Sequence, residues 1–305
     1  MLLVLEQALN GVQFGVTLFL MAAGLTLVFG IMNLVNLAHG SLYMLGAYLA
    51  TTFFHRTGSF LAAVALALAA TLVIGIVVEL VALRTLYERD HLDQVLATFG
   101  LILFFNEGVA MLWGRAAIYT KLPPWLAGHV ELLPGVRYPV YRALVIVVGL
   151  AVAVFLWLLV SRTRLGMLIR AGATNRTMVS ALGVNIRLLY TLVFGLGAAL
   201  AGLAGVMAGP IYAVQIGMGE GILIQVFVVI VIGGIGSIRG ALVGALIVGM
   251  ADTLGRAFLR PLLATVLSPG AADGAGPALA SMLIYILMAA VLFFRPQGLF
   301  PVGTR

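Results

Sequence analysis

Almost the whole sequence consists of long apolar runs separated by short polar connections. Hydrophobic residues make up 63% of the 305 residues and charged residues only 9%, whereas a soluble domain carries about 25% charged residues. The apolar runs cover residues 9–30, 41–54, 59–83, 94–113, 139–160, 190–211, 222–238, 241–262 and 278–294. They predict an all-α polytopic membrane protein with a bundle of about 8–9 transmembrane helices, because a helix satisfies its own backbone hydrogen bonds in lipid. The connections leave no room for a soluble domain, so residues 1–305 are expected to form one transmembrane domain.

The basic residues indicate how the chain is oriented in the membrane. Seventeen lysines and arginines against ten acidic residues give a net charge of +7, but the basic residues lie between the apolar runs. This distribution is typical of the positive-inside rule and does not favour a nucleic-acid partner. The connection 161–189 carries five arginines and no acidic residue, so it is predicted to be cytoplasmic. Counting helices outward from it places the N-terminus outside and the C-terminus in the cytoplasm.

The sequence lacks the residues that several kinds of active site require. It contains no cysteine, and Lys121 in YTKLPP is its only lysine. A P-loop needs a lysine directly after glycine, so the chain cannot hydrolyse ATP through such a site. The four histidines have no metal-ligand spacing and no catalytic set is recognisable, so no metal, cofactor or enzymatic activity is expected.

Three acidic residues lie within the apolar runs, where a carboxylate can serve ion coupling. A structural role is favoured for each of them. Glu79 lies five residues before Arg84, near the predicted cytoplasmic interface, and Glu107 lies within the run 94–113. Asp252 and Arg256 are four residues apart on one helix, which predicts a local ion pair.

Polar residues interrupt the apolar sequence at 30–48, GIMNLVNLAHGSLYMLGAY, which predicts a broken second helix. Unpaired amides in hydrocarbon cost several kcal/mol each, so these side chains must face protein, water or a ligand. Broken helices line the pathway in many transporters. The residues of this candidate substrate pathway are Asn33, Asn36, His39 and Ser41. The alternative is a polar turn between two helices at the membrane surface.

A short amphipathic helix is predicted at about 173–183, inside the basic connection. Thr174 or Asn175 could cap its start, and Gly183 would end it. An apolar face outside the membrane suits docking into a groove of a partner, while resting on anionic lipid is the alternative. The residues proposed for a partner contact are Asn175, Arg176, Met178, Leu182 and Gly183.

Small residues recur every four positions in the run 190–211, which is typical of closely packed membrane helices. The stripe consists of Gly197, Ala201, Gly205 and Gly209. Two connections are predicted to lie on the outer face: 114–138, with prolines and aromatic residues including Trp125, and 263–277, which is rich in glycine and alanine and is expected to be a loop.

The chain resembles the permease subunits of bacterial ABC importers for branched-chain amino acids, and most closely the smaller of the two permeases of that system. The resemblance runs nearly end to end and is most specific in the strings NLAHG at 36–40 and GGIGSIRG at 233–240. It also covers LATFGLILFFNEGVAMLWG at 96–114 and the basic connection that follows residue 160.

This resemblance implies an inner-membrane permease that pairs with a second, homologous permease. Two cytoplasmic ATP-binding subunits would bind below it, and a periplasmic binding protein would deliver substrate from above. The helix at 173–183 would then be the coupling helix that contacts an ATPase.

The leading hypothesis is therefore an ABC permease that moves branched-chain or other hydrophobic amino acids. Many relatives carry an acidic residue where this chain has Asn175 and Arg176. Neutral variants of this kind resemble relatives linked to urea or amide uptake, so such small organic solutes are the alternative substrates. A secondary transporter or channel and a membrane enzyme are the hypotheses from other classes.

Overall fold

A computed structural model describes residues 2–133 and 135–300 of the chain. In chain order its helices and strands are α1 (Leu2–Met32), α2 (His39–Thr57), α3 (Phe60–Val81), α4 (His91–Trp113), β1 (His129–Leu133), β2 (Val136–Pro139), α5 (Val140–Arg162), α6 (Arg164–Thr174), α7 (Arg176–Ala181), α8 (Ile186–Ala208), α9 (Met218–Gly233), α10 (Ile238–Leu263) and α11 (Pro269–Phe294). Short 3₁₀ turns lie at Leu83–Leu86 and Pro124–Leu126.

Each predicted apolar run corresponds to one helix, which confirms the all-α polytopic membrane fold. Seven of the helices in the described residues are long and apolar enough to cross a membrane. The two remaining runs form α2, which begins with polar residues, and α9, which has only 16 residues. A helix of that length extends about 24 Å and falls short of the hydrocarbon thickness of about 30 Å.

Two predicted loops contain regular structure. The stretch 263–277 was expected to be a loop, but α11 begins at Pro269. Proline fits the first helical position because its missing N–H needs no partner there. An ion pair between Arg260 and Asp273, with 2.6 Å between Nε and Oδ1, ties this first part of α11 to α10. The connection 114–138 contains most of the antiparallel hairpin of β1 and β2.

The chain divides into two compact units, and the first comprises the described residues of 1–19, 123–151 and 225–305. In this unit the start of α1 packs on α10 through glycines. A Cβ on Gly15 would lie 2.7 Å from the carbonyl oxygen of Ala245, so only glycine permits this approach. The Arg142 guanidinium donates to Asn10 Oδ1 at 2.6 Å, which joins α5 to α1. The predicted ion pair between Asp252 and Arg256 is present at 2.9 Å.

The second unit comprises residues 20–122 and 152–224, and α8 lies in its core. The small residues of α8 face several neighbouring helices. A Cβ on Gly197 would lie 3.1 Å from the carbonyl oxygen of Gly24 in α1, and one on Gly205 would overlap the carbonyl of Tyr43 in α2. Ala201 is fully buried. Gly209 faces Val214 and Thr120 beyond the end of the helix.

A buried carboxylate lies at the end of α3 in the second unit. Glu79 is fully buried and pairs with Arg84, with 3.4 Å between Oε2 and a guanidinium nitrogen. The hydroxyl of Thr191 in α8 donates to Oε2 at 2.8 Å, and that of Tyr87 donates to Oε1 at 2.5 Å. Burial and this hydrogen bond to Glu79 raise the pKa of Tyr87 above its usual range. The network ties the connection after α3 to α8.

Candidate functional site

The helix break predicted at 30–48 lies between α1 and α2. The first helix ends at Met32, and Asn33 follows in the left-handed conformation with a φ of 51°. Asparagine tolerates this conformation better than most residues because its short amide can bond locally. The chain is then non-helical until α2 starts at His39, and Ala38 at the N-cap supplies no side-chain hydrogen bond. The backbone N–H groups of His39 and Ser41 instead donate to the carbonyl oxygens of Asn36 and Ala38, at 3.5 and 3.0 Å.

The second helix begins beside the middle of α1 instead of at its end. The His39 Nε2 lies 3.2 Å from the carbonyl oxygen of Met21, and a Cβ on Gly24 would lie 3.1 Å from the imidazole ring. Met21 precedes the last residue of α1, Met32, by 11 residues, which corresponds to about 16 Å along the helix axis. The segment 33–38 therefore runs back into the unit, and the first turn of α2 lies at membrane depth.

The four candidate pathway residues fall into two groups. Asn33 is exposed, whereas Asn36 and His39 are fully buried and Ser41 is 4% exposed. Neither side-chain polar atom of Asn36 has a hydrogen-bond partner among the described residues, and the same is true of His39 Nδ1. Buried polar groups in proteins are nearly always paired with protein or water, and leaving one unpaired costs about 1–3 kcal/mol. Asn36 and His39 are thus the polar groups of the break that can accept a ligand.

Gln94 at the start of α4 supports the break and escaped the sequence analysis. Its Oε1 accepts a hydrogen bond from the Val35 backbone N–H at 3.3 Å. Its Nε2 donates to the carbonyl oxygens of Leu86 and Arg89, each at 3.2 Å. The only signal in the sequence was an amide at the edge of the apolar run 94–113. Its partner lies 59 residues away, which local patterns do not reveal.

The start of α9 also reaches the break. A Cβ on Gly40 in α2 would lie 2.5 Å from the carbonyl oxygen of Gly219, so the two glycines bring their backbones into direct contact. Glu220 follows Gly219 in the first turn of α9. The first turns of α2 and α9 therefore meet in the second unit. Repeated glycines in the string IGMGEG at 216–221 were the available sequence signal, which the analysis did not use.

The short helix predicted at about 173–183 is present as α7 (Arg176–Ala181). Asn175, and not Thr174, caps it, since Asn175 Oδ1 accepts from the Met178 backbone N–H at 2.9 Å. Gly183 follows with a φ of 86°, which glycine adopts at little cost. The sequence did not predict that the preceding residues form a second amphipathic helix, α6.

The apolar side chains of α7 divide between the unit and its surface. Val179 is buried, while Met178 is 59% exposed and Leu182, just beyond the helix, is 77% exposed. Arg176 is also exposed at the start of the helix. Two large apolar side chains next to a cation are therefore available to a partner or to lipid.

These features define a multi-pass protein of the inner membrane, with a helix break at membrane depth and short helices between α5 and α8. The family model described as "Branched-chain amino acid transport system / permease component" matches residues 7–292. The chain therefore belongs to the permease components of the branched-chain amino acid transport systems.

Three proteins similar to this chain are named as transport permeases. The chain is 34% identical to the high-affinity branched-chain amino acid transport system permease protein BraD of Pseudomonas aeruginosa, over 97% of this chain and 95% of BraD. It is 32% identical to LivH of Escherichia coli K12, a permease protein of the same kind, over 84% of this chain and 87% of LivH. It is 29% identical to the ribose import permease protein RbsC of Escherichia coli K12, over 75% of this chain and 71% of RbsC. No solved structure matches the chain.

Proposed function

We propose that this chain is the membrane-spanning permease subunit of an ATP-driven importer for branched-chain or other hydrophobic amino acids. The family match over residues 7–292 is the observation that carries the proposal. Relatives named for branched-chain amino acid transport cover nearly the whole chain, which supports the same class of solute. The proposal treats residues 1–305 as one permease domain.

Energy enters from ATP hydrolysed on two separate cytoplasmic subunits, because the only lysine of the chain does not follow a glycine. The contact with one of these subunits is assigned to α7. The exposed side chains of Met178 and Leu182 support this assignment. Burial in a groove of an ATPase stabilises an apolar side chain of this size by about 1.5–3 kcal/mol.

The solute crosses beside the break between α1 and α2. Asn36 and His39 are buried there without a full set of partners, so they supply polar groups at a depth where lipid supplies none. A second, homologous permease completes the pathway, and a periplasmic binding protein delivers the solute from outside. The N-terminus is assigned to the periplasm and the C-terminus to the cytoplasm, since the arginine-rich connection 161–189 fits the cytoplasmic side.

Reconstitution tests the proposal. The chain is purified with a second, homologous permease and two ATP-binding subunits and placed in proteoliposomes, with a periplasmic binding protein outside and ATP inside the vesicles. We expect accumulation of radiolabelled leucine, isoleucine or valine that depends on ATP. Accumulation of urea, an amide or ribose without any of these amino acids would reject the proposed substrate, and ATP-independent uptake by the chain alone would reject the ABC mechanism.

A further inference from the structure

Glu220 is a carboxylate that has no basic partner in the part of the chain that the structure describes. Glu79, Glu107, Asp252 and Asp273 each form an ion pair with an arginine. No such pair involves Glu220 among residues 2–133 and 135–300. Its described side-chain partner is neutral: Asn106 Nδ2 in α4 donates to Oε1 at 2.7 Å.

The Asn106–Glu220 pair joins α9 to α4, one of the helices that are long and apolar enough to cross a membrane. Asn106 precedes Trp113, the last residue of α4, by seven residues, which places it about 10 Å along the helix from that end. Both residues are half-buried, although the Asn106 Oδ1 atom itself is buried. A carboxylate at such depth is costly, and in membrane proteins it normally faces a cavity or pathway and has a functional role.

The pair also adjoins the helix break. Gly219, which precedes Glu220, makes the backbone contact with Gly40 at the start of α2. Gly40 follows His39, whose Nδ1 is buried without a partner, and Asn36 lies three residues earlier. Polar groups from the break and from α9 therefore lie on both sides of one glycine contact.

The oxygen atoms of the pair keep free hydrogen-bond acceptor capacity. Asn106 Oδ1 is buried and has no hydrogen-bond partner among the described residues. The carboxylate of Glu220 can accept several hydrogen bonds and receives one side-chain hydrogen bond, from Asn106. A position in the first turn of α9 favours a negative charge but supplies no cation. A primary ammonium group, with one positive charge and three donors, satisfies both the Asn106 oxygen and the carboxylate.

We propose that Glu220 and Asn106 bind the α-ammonium group of the transported amino acid. The inference rests on the proposed function, since it names a group of the same solute. It separates the solutes under consideration: an amino acid carries the required cation, whereas urea, amides and ribose do not. The polar groups of the break remain available to the carboxylate end of the amino acid.

The test uses the complete transporter in proteoliposomes, with Glu220→Gln, Glu220→Asp and Glu107→Gln compared with the wild type. Glu107→Gln is the matched control, because Glu107 adjoins Asn106 but is 65% exposed and already paired with Arg115. Loss of a charge-assisted hydrogen bond predicts a decrease of about tenfold or more in leucine uptake for Glu220→Gln. Glu220→Asp keeps the charge and is expected to retain more uptake than Glu220→Gln, while Glu107→Gln stays within about twofold of the wild type.

Assembly is measured on the same samples by co-purification of the second permease and the ATPases. Normal assembly with reduced uptake in Glu220→Gln supports the ammonium site. Unchanged uptake in Glu220→Gln overturns it, and so does loss of the second permease, which would make Glu220 a subunit contact. A wild-type transporter that imports no amino acid would reject the proposed function itself. A wild-type transporter that imports leucine, together with an equally active Glu220→Gln variant, would reject only the ammonium site.

Discussion

Asn36 combines complete burial with an amide that has no hydrogen-bond partner among the described residues. Such a side chain lowers stability, and it is retained only if something other than stability requires it. We predict that Asn36→Leu leaves the thermal stability of the purified permease unchanged or raises it, because an unpaired amide is replaced by an apolar group. Leucine uptake in proteoliposomes is expected to fall at the same time. Unchanged uptake would assign Asn36 to a structural turn.

The sequence identified the polar residues of the break but not the residues that support them. Asn36 and His39 were recognisable because polar side chains interrupt an apolar stretch, a local signal. Gln94 bonds to a residue 59 positions away, and Asn106 and Glu220 are 114 positions apart. Only the packing of helices brings these residues together. A pattern along one helix cannot reveal such pairs.

At the level of the helices, the close contact between α2 and α8 depends on Gly205. A Cβ at this position would overlap the carbonyl oxygen of Tyr43. We predict that Gly205→Ala lowers the free energy of unfolding by about 1–3 kcal/mol, because backbone atoms must shift to admit the methyl group. Thermal unfolding in detergent measures the change.

Gly108 in α4 provides the matched control for this substitution. A Cβ there would meet nothing within 4 Å, so Gly108→Ala is expected to keep or slightly raise stability through helix propensity. Equal stability of the two variants would show that α8 can move away from α2 without cost.

The short helix α7 is predicted to couple the permease to its ATPase. We expect Met178→Asp combined with Leu182→Asp to abolish ATPase co-purification or substrate-stimulated ATP hydrolysis, since both exposed apolar side chains would become charged. Membrane insertion should persist because no spanning helix changes. Ser180→Asp, also exposed on α7, controls for added charge. Survival of both co-purification and stimulation in the double variant would assign α7 to the lipid surface.

Long helices were predictable because apolar runs of sufficient length have few alternatives in a membrane. The errors fell on short or compositionally ambiguous segments. Glycine and alanine in 263–277 suggested a loop, yet Pro269 can start a helix and the Arg260–Asp273 ion pair holds that helix to α10. The amphipathic helix α6 was missed because its arginines were interpreted only as a marker of membrane side.

For the molecule as a whole, the proposed orientation predicts which face each connection occupies. The chain has no cysteine, so single substitutions give an unambiguous labelling test. We expect Arg176→Cys to react with a membrane-impermeant maleimide only after cells are opened, and Trp125→Cys to react in intact cells. Both positions are exposed, so access to the reagent is not limited by burial. Labelling of the Arg176→Cys variant in intact cells would invert the topology.

The glycine contact between α2 and α9 affects how the specificity of such a permease can evolve. Gly40 and Gly219 touch through their backbones, so any larger residue at either position pushes the two helices apart. Divergence toward solutes of another size or charge must therefore take place in the surrounding side chains while this pair of glycines stays constant. Relatives that transport other solutes should therefore differ first at three neighbouring positions, Asn36, Asn106 and Glu220.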